Sequence, residues 1–193
     1  IQMTLVEVLS QAAKQWNEQR VTIQITDETK QAVYAFVVDR LLGMADGFMV
    51  SRAGMDAALS ANVALPLHQH LAVAELLTKF ADSDAGQAVA AANKRIANIL
   101  KKAGDIKTDV DEALFAEAAE TALFAALTQA EKDFPAEPQA QLEVLAGLRV
   151  AVDVFFDGVM VMAEDEAIKN NRLALLARLR FLFLRLADVS KLA

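Results

Sequence analysis

The chain has 193 residues, 55% of them hydrophobic and 23% charged, with a formal net charge of −7 and no cysteine. That composition excludes a largely disordered chain and suits one well-packed core, while the missing cysteines exclude disulfides and thiolate metal sites and fit a reducing cytoplasm. The acidic total excludes indiscriminate nucleic-acid binding, so any such contact must be local.

Leu5, Val8, Leu9, Ala12, Ala13 and Trp16 recur at helical spacing and predict a first helix over about 4–19. VTIQI at 21–25 alternates like a short strand or an extended connector and reads as a linker. Asp27 is placed to cap a second helix carrying Val33, Phe36, Val37, Arg40 and Leu41, which fades at the glycines between Gly43 and Gly47. Ser51 opens a short helix to about Ser60, and Pro66 suits the first turn of one that runs to about Phe80. Ser83 or Asp84 starts the next helix, which stops near Gly104. Asp111 is expected to cap a helix with Leu114, Phe115, Ala118, Ala122 and Leu123 inward. The break FPAEP separates it from a helix with Pro138 in its first turn and Leu142, Leu145, Leu148, Val152 and Phe155 on one face. A last helix over about 165–189 is apolar almost all round and belongs in the middle of a bundle. With one strand-like pentamer among seven or eight helices, an all-α helical bundle is the predicted fold class.

The densest positive charge lies in AAANKRIANIL, residues 90–100, and in Lys101 and Lys102 just after it. Ala85, Val89, Ala92, Ile96 and Ile99 form a stripe roughly 90° wide, the pattern of a core-facing surface. Lys94, Arg95, Asn98, Lys101 and Lys102 fall opposite it. Residues 93–107 hold five cations against Asp105 alone. Cations stacked along one helix repel each other unless screened, and a row of backbone phosphates is a natural partner; a merely solvated charged face is the alternative. Asn93, at the edge of the apolar stripe, is expected to bond to a neighbouring helix.

Other chemistry is sparse. His68 and His70 are two residues apart on a predicted helix, point roughly 200° from each other and read as surface residues. The chain carries no P-loop, GxGxxG, GxSxG or HExxH. Glu164, Asp165 and Glu166 sit where a helix starts and read as capping anions. Met160 and Met162, with Phe155 and Phe156, read as core filler rather than a cofactor box. Arg172 shares a stripe with Leu176, Leu179, Phe183 and Leu186 and needs a partner, either an internal carboxylate or helix end or a phosphate or ribose at the bundle rim. Arg178 and Arg185 lie on another strip and read as solvent-facing. No apolar run reaches the eighteen or so residues of a membrane helix, and IQMTLVEVLS lacks the plan of a signal peptide, so a soluble protein is expected. The start without Met, in what reads as a helix, suggests a piece of a longer chain.

AAANKRIANILKK, DEALFAEAAETAL and the long run from LRVAVDVFFDGVMVMAED through NRLALL to RLADVSKL resemble the C-terminal region of the β subunit of bacterial glycyl-tRNA synthetases. The resemblance spans residues 27–193 and is strongest from Ala90 onward. It implies a helical anticodon-binding bundle of the DALR-like, class I synthetase type over 27–193, with 1–26 as a connector helix and linker from preceding domains. The motif ANKRIxNIL falls on Ala92 to Leu100, and FFDxVMVMAED with NRLALL falls on Phe155 to Leu176. Arginyl-tRNA synthetase domains share the second motif but not the first, so the glycyl reading is preferred. The stretch 42–76 departs from the family, because Arg52 is its only arginine where relatives tend to carry several.

The resemblance further implies a non-catalytic, cytoplasmic piece that holds glycine tRNA, touches neither DNA nor membrane, and works beside upstream β-subunit domains and an α subunit that carries the aminoacylation site. No cofactor is expected in this piece; ATP and Mg²⁺ serve the whole enzyme. Lys94, Arg95, Lys101 and Lys102 are the expected phosphate contacts, Asn98 a base or sugar contact, and Arg172 a further RNA contact. With one Trp and one Tyr in the chain, any stacking on bases must come from Phe, Arg or His. A protein-docking bundle is the main rival. A self-contained hydrolase has no nucleophile–base or metal set to support it.

Overall fold

A computed structural model describes residues 3–19, 22–61, 65–104 and 106–193. Its regular elements are α1 (Leu5–Gln19), α2 (Asp27–Gly43), α3 (Arg52–Leu59), α4 (Leu67–Ala81), α5 (Asp84–Ala103), α6 (Ala118–Lys132), α7 (Pro138–Gly147), α8 (Arg149–Gly158) and α9 (Glu166–Leu184). Short 3-10 turns cover Ala45–Phe48, Glu112–Leu114 and Val189–Leu192. Among the described residues there is no strand beyond one isolated bridge between Thr4 and Pro66. The all-α expectation holds. Residues 22–26 are irregular, as a linker should be, and Val21, where the alternating pentamer starts, lies outside the described residues.

Caps set most of the helix starts. Ser51 and Ser83 accept hydrogen bonds from the amides of Gly54 and Gly86, and Asp165 accepts from Ala167 and Ile168, each satisfying amides that have no intrahelical partner. Asp27 does not cap α2: Thr26 does, accepting from the Thr29 amide, and Asp27 is the first helical residue. Asp111 caps only the 3-10 turn, so α6 begins later than expected, at Ala118, with Leu123 and Leu127 rather than Ala118 and Ala122 turned inward. The single helix expected from Pro138 is two, α7 and α8, meeting at Leu148 just after Gly147.

The two most enclosed helices are α9 and α5. Residues 171–176 of α9 are buried without interruption, as an apolar sequence all round demands. On α5 the buried residues are Gly86, Val89, Ala90, Asn93 and Ile96, and the helix packs against α4, α7, α8, α9 and the C-terminal 3-10 turn. Phe155, Ile96, Leu123, Leu145, Leu175, Leu176 and Leu179 are fully enclosed; burying each stabilises the fold by about 1.5–3 kcal/mol relative to exposure. Asn93 is buried but bonds to its own helix, at Val89 O 3.2 Å away, rather than to a neighbour. By contrast α2 buries no residue, and Phe36 is 60% exposed.

Close approach explains two glycines. A Cβ on Gly54 would lie 2.6 Å from Thr78 Oγ1 and 2.9 Å from Ala74 O, where α3 crosses α4. A Cβ on Gly86 would overlap the backbone carbonyl of Phe80, where the chain folds back from α4 into α5. The C-terminal turn is tied to α3 by Asp188 N to Ala57 O at 2.9 Å and by the Lys191–Asp56 ion pair, also 2.9 Å.

A buried ion pair joins α6 to α9. Arg172 Nε and Nη2 donate to the two carboxylate oxygens of Glu120 at 3.0 and 3.1 Å, and its Nη1 donates to Met160 O at 2.9 Å. Glu120 is fully buried and also accepts from the amides of Ala116 and Glu117. Burial alone pushes the Glu120 carboxyl up, but the Arg172 hydrogen bonds, the two amides and the Arg172 charge outweigh it and hold the pKa below the ordinary 4.5.

Two outcomes follow from this packing. Glu120→Gln strands the buried guanidinium and is expected to cost about 3 kcal/mol in urea unfolding at neutral pH. Because the folded-state pKa is depressed, the stability this carboxylate contributes is present above about 4.5 and lost as pH falls through the lower folded value, so the variant should lose part of the acid dependence seen in the unsubstituted chain. Gly86→Ala is expected to destabilise by roughly 2–3 kcal/mol, since the obstacle is backbone rather than a side chain that can swing away; unfolding midpoints of the two proteins check this.

Candidate nucleic-acid interface

The packing of α5 decides which of its residues face water. With Val89, Asn93 and Ile96 turned inward, Lys94, Arg95, Asn98, Lys101 and Lys102 are all exposed. Arg95, Asn98 and Lys102 succeed each other at i, i+3 and i+7 and share a strip, while Lys94, Asn98 and Lys101 share the adjoining one. Gly104, at φ 84°, ends the helix in a conformation suited to glycine. Lys101 and Lys102 occupy the last turn, where the helix dipole favours positive charge. Beyond it Lys107 is also exposed, whereas Asp105 lies outside the described residues.

Most of the bundle's other well-placed cations are committed to carboxylates. Arg178 pairs with Glu131 through Nε at 2.8 Å, Arg180 with Asp188 at 2.9 Å, Lys169 with Glu166 at 2.6 Å, and Arg149 with Asp153 at 3.4 Å. On α5, among the described residues, no lysine or arginine pairs with an aspartate or glutamate. Lys94 Nζ donates to Ala193 O at 2.6 Å, and the Arg95 guanidinium lies 4.0 Å from the centroid of the Phe156 ring. The surface is therefore cationic with few internal anions to quench it.

Arg172 is not part of it. With one carboxylate and one carbonyl holding its guanidinium, and only 6% of the residue exposed, it is the internal partner of Glu120, enclosed away from any rim. Arg178 likewise is not a plain solvent-facing residue: its Glu131 hydrogen bonds raise its pKa above the ordinary arginine value, and it stacks over Phe124 at 5.1 Å. Met160 and Met162 are 74% and 57% exposed, so they are not core filler, although Phe155 is. Of the histidines, His68 is exposed but His70 is half-buried, with Nδ1 3.0 Å from Ala58 O, and burial lowers its pKa. Both line an apolar cavity of about 450 Å³ bounded also by Leu5, Phe48, Met55 and Leu71. This cavity is formed in part by the arginine-poor stretch 42–76. The residue that sequence reasoning missed is Phe156, the ring beneath Arg95; nothing in local spacing signals a partner 61 positions away.

No helix among the described residues is long and apolar enough to cross a membrane. A family model described as the DALR anticodon binding domain matches residues 89–185, from the inner face of α5 to the end of α9. Among curated relatives, the glycine–tRNA ligase beta subunit of Alteromonas mediterranea is 41% identical over 174 residues, 86% of this chain and 25% of the relative. That of Marinobacter nauticus is 39% identical over 197 aligned positions, 94% of this chain and 27% of the relative. That of Shewanella sp. (strain ANA-3) is 50% identical over 122 residues, 60% of this chain and 18% of the relative. The chain thus spans between 18% and 27% of the length of these relatives. Both the sequence match and the helical architecture put the chain in the DALR anticodon-binding domain family.

Proposed function

We propose that this chain is the tRNA-gripping part of a glycyl-tRNA synthetase β subunit and that it holds the anticodon arm of glycine tRNA on the outer face of α5. The observation that carries this reading is the exposed set Lys94, Arg95, Asn98, Lys101 and Lys102, with no aspartate or glutamate paired to its cations among the described residues, contained in the stretch 89–185 that matches the anticodon-binding family. The relatives named above, all glycine–tRNA ligase beta subunits, support the glycyl reading over an arginyl one.

The mechanism is positioning. Lysine and arginine side chains neutralise phosphates and release condensed counterions, which gives affinity that falls steeply with salt; no bond is made or broken here. Among the described residues no cluster of three histidine or carboxylate side chains is placed to hold a metal ion. The proposal, following the family resemblance, assigns ATP, Mg²⁺ and aminoacylation to other parts of the enzyme, in the cytoplasm, with an α subunit as partner and no role for DNA or membrane.

A second reading, docking onto other domains of a longer protein, draws support from the N-terminal half of the chain. The apolar cavity there, and separately the exposed Phe36, Met44 and Met49 on and after α2, are apolar features of the type that proteins bury against partners. It is compatible with the first reading, since the chain covers only a fraction of its relatives' length.

Replacing Arg95 and Lys102 together by alanine is expected to weaken glycine-tRNA binding by tenfold or more while costing no more than about 1 kcal/mol of stability, the worth of an exposed cation–π contact. Lys102→Ala alone should reduce the slope of log affinity against log salt by about 1. Filter binding across a salt series, with an unrelated tRNA as comparison and thermal melts as control, reads both. Equal binding by the double variant removes α5 from the interface.

A further inference from the structure

Charge explains affinity for a phosphate chain, but one member of the α5 set is held in a way that charge does not require. The Arg95 guanidinium carbon lies 4.0 Å from the Phe156 centroid, the closest such pairing among the described residues. Phe156 is in turn braced: its ring packs edge-on against Phe155, with centroids 5.6 Å apart and planes at 74°, and Phe155 is fully buried. A core residue thus supports a half-buried ring, which supports an exposed cationic plane. A guanidinium carbon seated over a ring at this distance gains a cation–π contact that favours this rotamer over the many others an exposed arginine can adopt.

We propose that Arg95, braced on Phe156, is a stacking platform for an unpaired nucleobase of the bound RNA. This rests on the reading of α5 as an RNA interface and adds to it a contact with a base rather than a phosphate. Guanidinium planes stack on bases as aromatic rings do. Asn98 and Lys102 follow Arg95 along the same strip, about 4.5 and 10.5 Å further on at 1.5 Å per residue. They are spaced to meet the edge of the stacked base and a phosphate beyond it. Arg185 provides an internal comparison, because it lies 4.2 Å over Phe134 and is exposed but sits off α5, beside a loop preceded by Glu131 and Asp133.

The test uses Arg95→Lys, which keeps the charge and removes the plane. The probe is an anticodon stem-loop RNA carrying 2-aminopurine at one loop position at a time, with a blunt duplex of the same stem as control. The unsubstituted chain is expected to change the fluorescence at one loop position and to prefer the stem-loop to the duplex. Arg95→Lys should lose that signal and about tenfold in affinity, as loss of one base stack requires, with the salt slope unchanged. Phe156→Leu should show the same signature, with circular dichroism confirming its fold, and Arg185→Lys should show none of it. Wild-type affinity and an unaltered signal in Arg95→Lys would overturn the platform and leave Arg95 as a point charge. Equal binding of stem-loop and duplex would overturn it as well. Failure of the unsubstituted chain to bind either RNA would overturn the α5 interface itself, and the platform with it.

Discussion

The arrangement of the exposed α5 face depends on a buried carboxylate on another helix, Glu120 of α6. Glu120 belongs to the first turn of α6, and its oxygens accept from two α6-start amides and from Nε and Nη2 along one edge of the Arg172 guanidinium. The third Arg172 bond reaches Met160 O, two residues past the end of α8. One charged pair therefore fixes the beginning of α6, the first half of α9 and the exit from α8. Next to Arg172, Asn171 makes a two-way bond with the backbone of Asp111, at 2.8 and 2.9 Å, and so pins the segment that follows α5. Networks of this kind contribute only when every member is satisfied, and here the carboxylate and the guanidinium both are. The distance between α5 and α8, and hence the seat of Arg95 on Phe156, follows from where these two neighbouring anchors hold their chains.

That geometry reconciles a net charge of −7 with an exposed cationic face on α5. Screening at physiological salt limits charge to a reach of about 8 Å, so a phosphate against α5 responds to Lys94, Arg95, Lys101 and Lys102 more than to the rest of the chain. The carboxylates elsewhere are not inert. Glu131, Asp188, Glu166 and Asp56 each hold a cation of their own and leave the surrounding surface neutral or acidic.

Much of the fold was legible because its determinants are local. Ser51, Ser83, Pro138 and Asp165 stand at helix starts where cap chemistry puts such residues, and the burial of Val89 and Ile96 follows from their spacing alone. What was not legible depends on partners far away in sequence. Arg172 plainly needed a counter-charge, but nothing near it in sequence singles out Glu120, 52 positions away, over a phosphate at the rim. Met160 and Met162 have the composition of core residues, yet α8 ends at Gly158 and the chain is drawn across the surface to meet Arg172, which leaves both side chains outside. Asp111 has the chemistry of a cap, but Asn171 holds its backbone and the chain makes only a 3-10 turn before α6 begins. In each case a tertiary bond overrode a sound local preference.

The contrast between lysine and arginine on α5 carries the last step. Lys101 and Lys102 are mobile point charges at a helix end, suited to a phosphate chain of any sequence, and contacts of that kind position RNA without reading it. A plane held on Phe156 adds a requirement that the partner present an unpaired base, which separates a loop from a duplex although it tolerates every base. Choosing among bases needs a donor and an acceptor at the edge of the stacked ring. Asn98 is the exposed residue on the same strip that has both, one helical turn beyond Arg95. In the proposed interface, affinity, loop preference and base choice would fall to different residues of α5, and the helix can keep them in line because its other face is locked into the core.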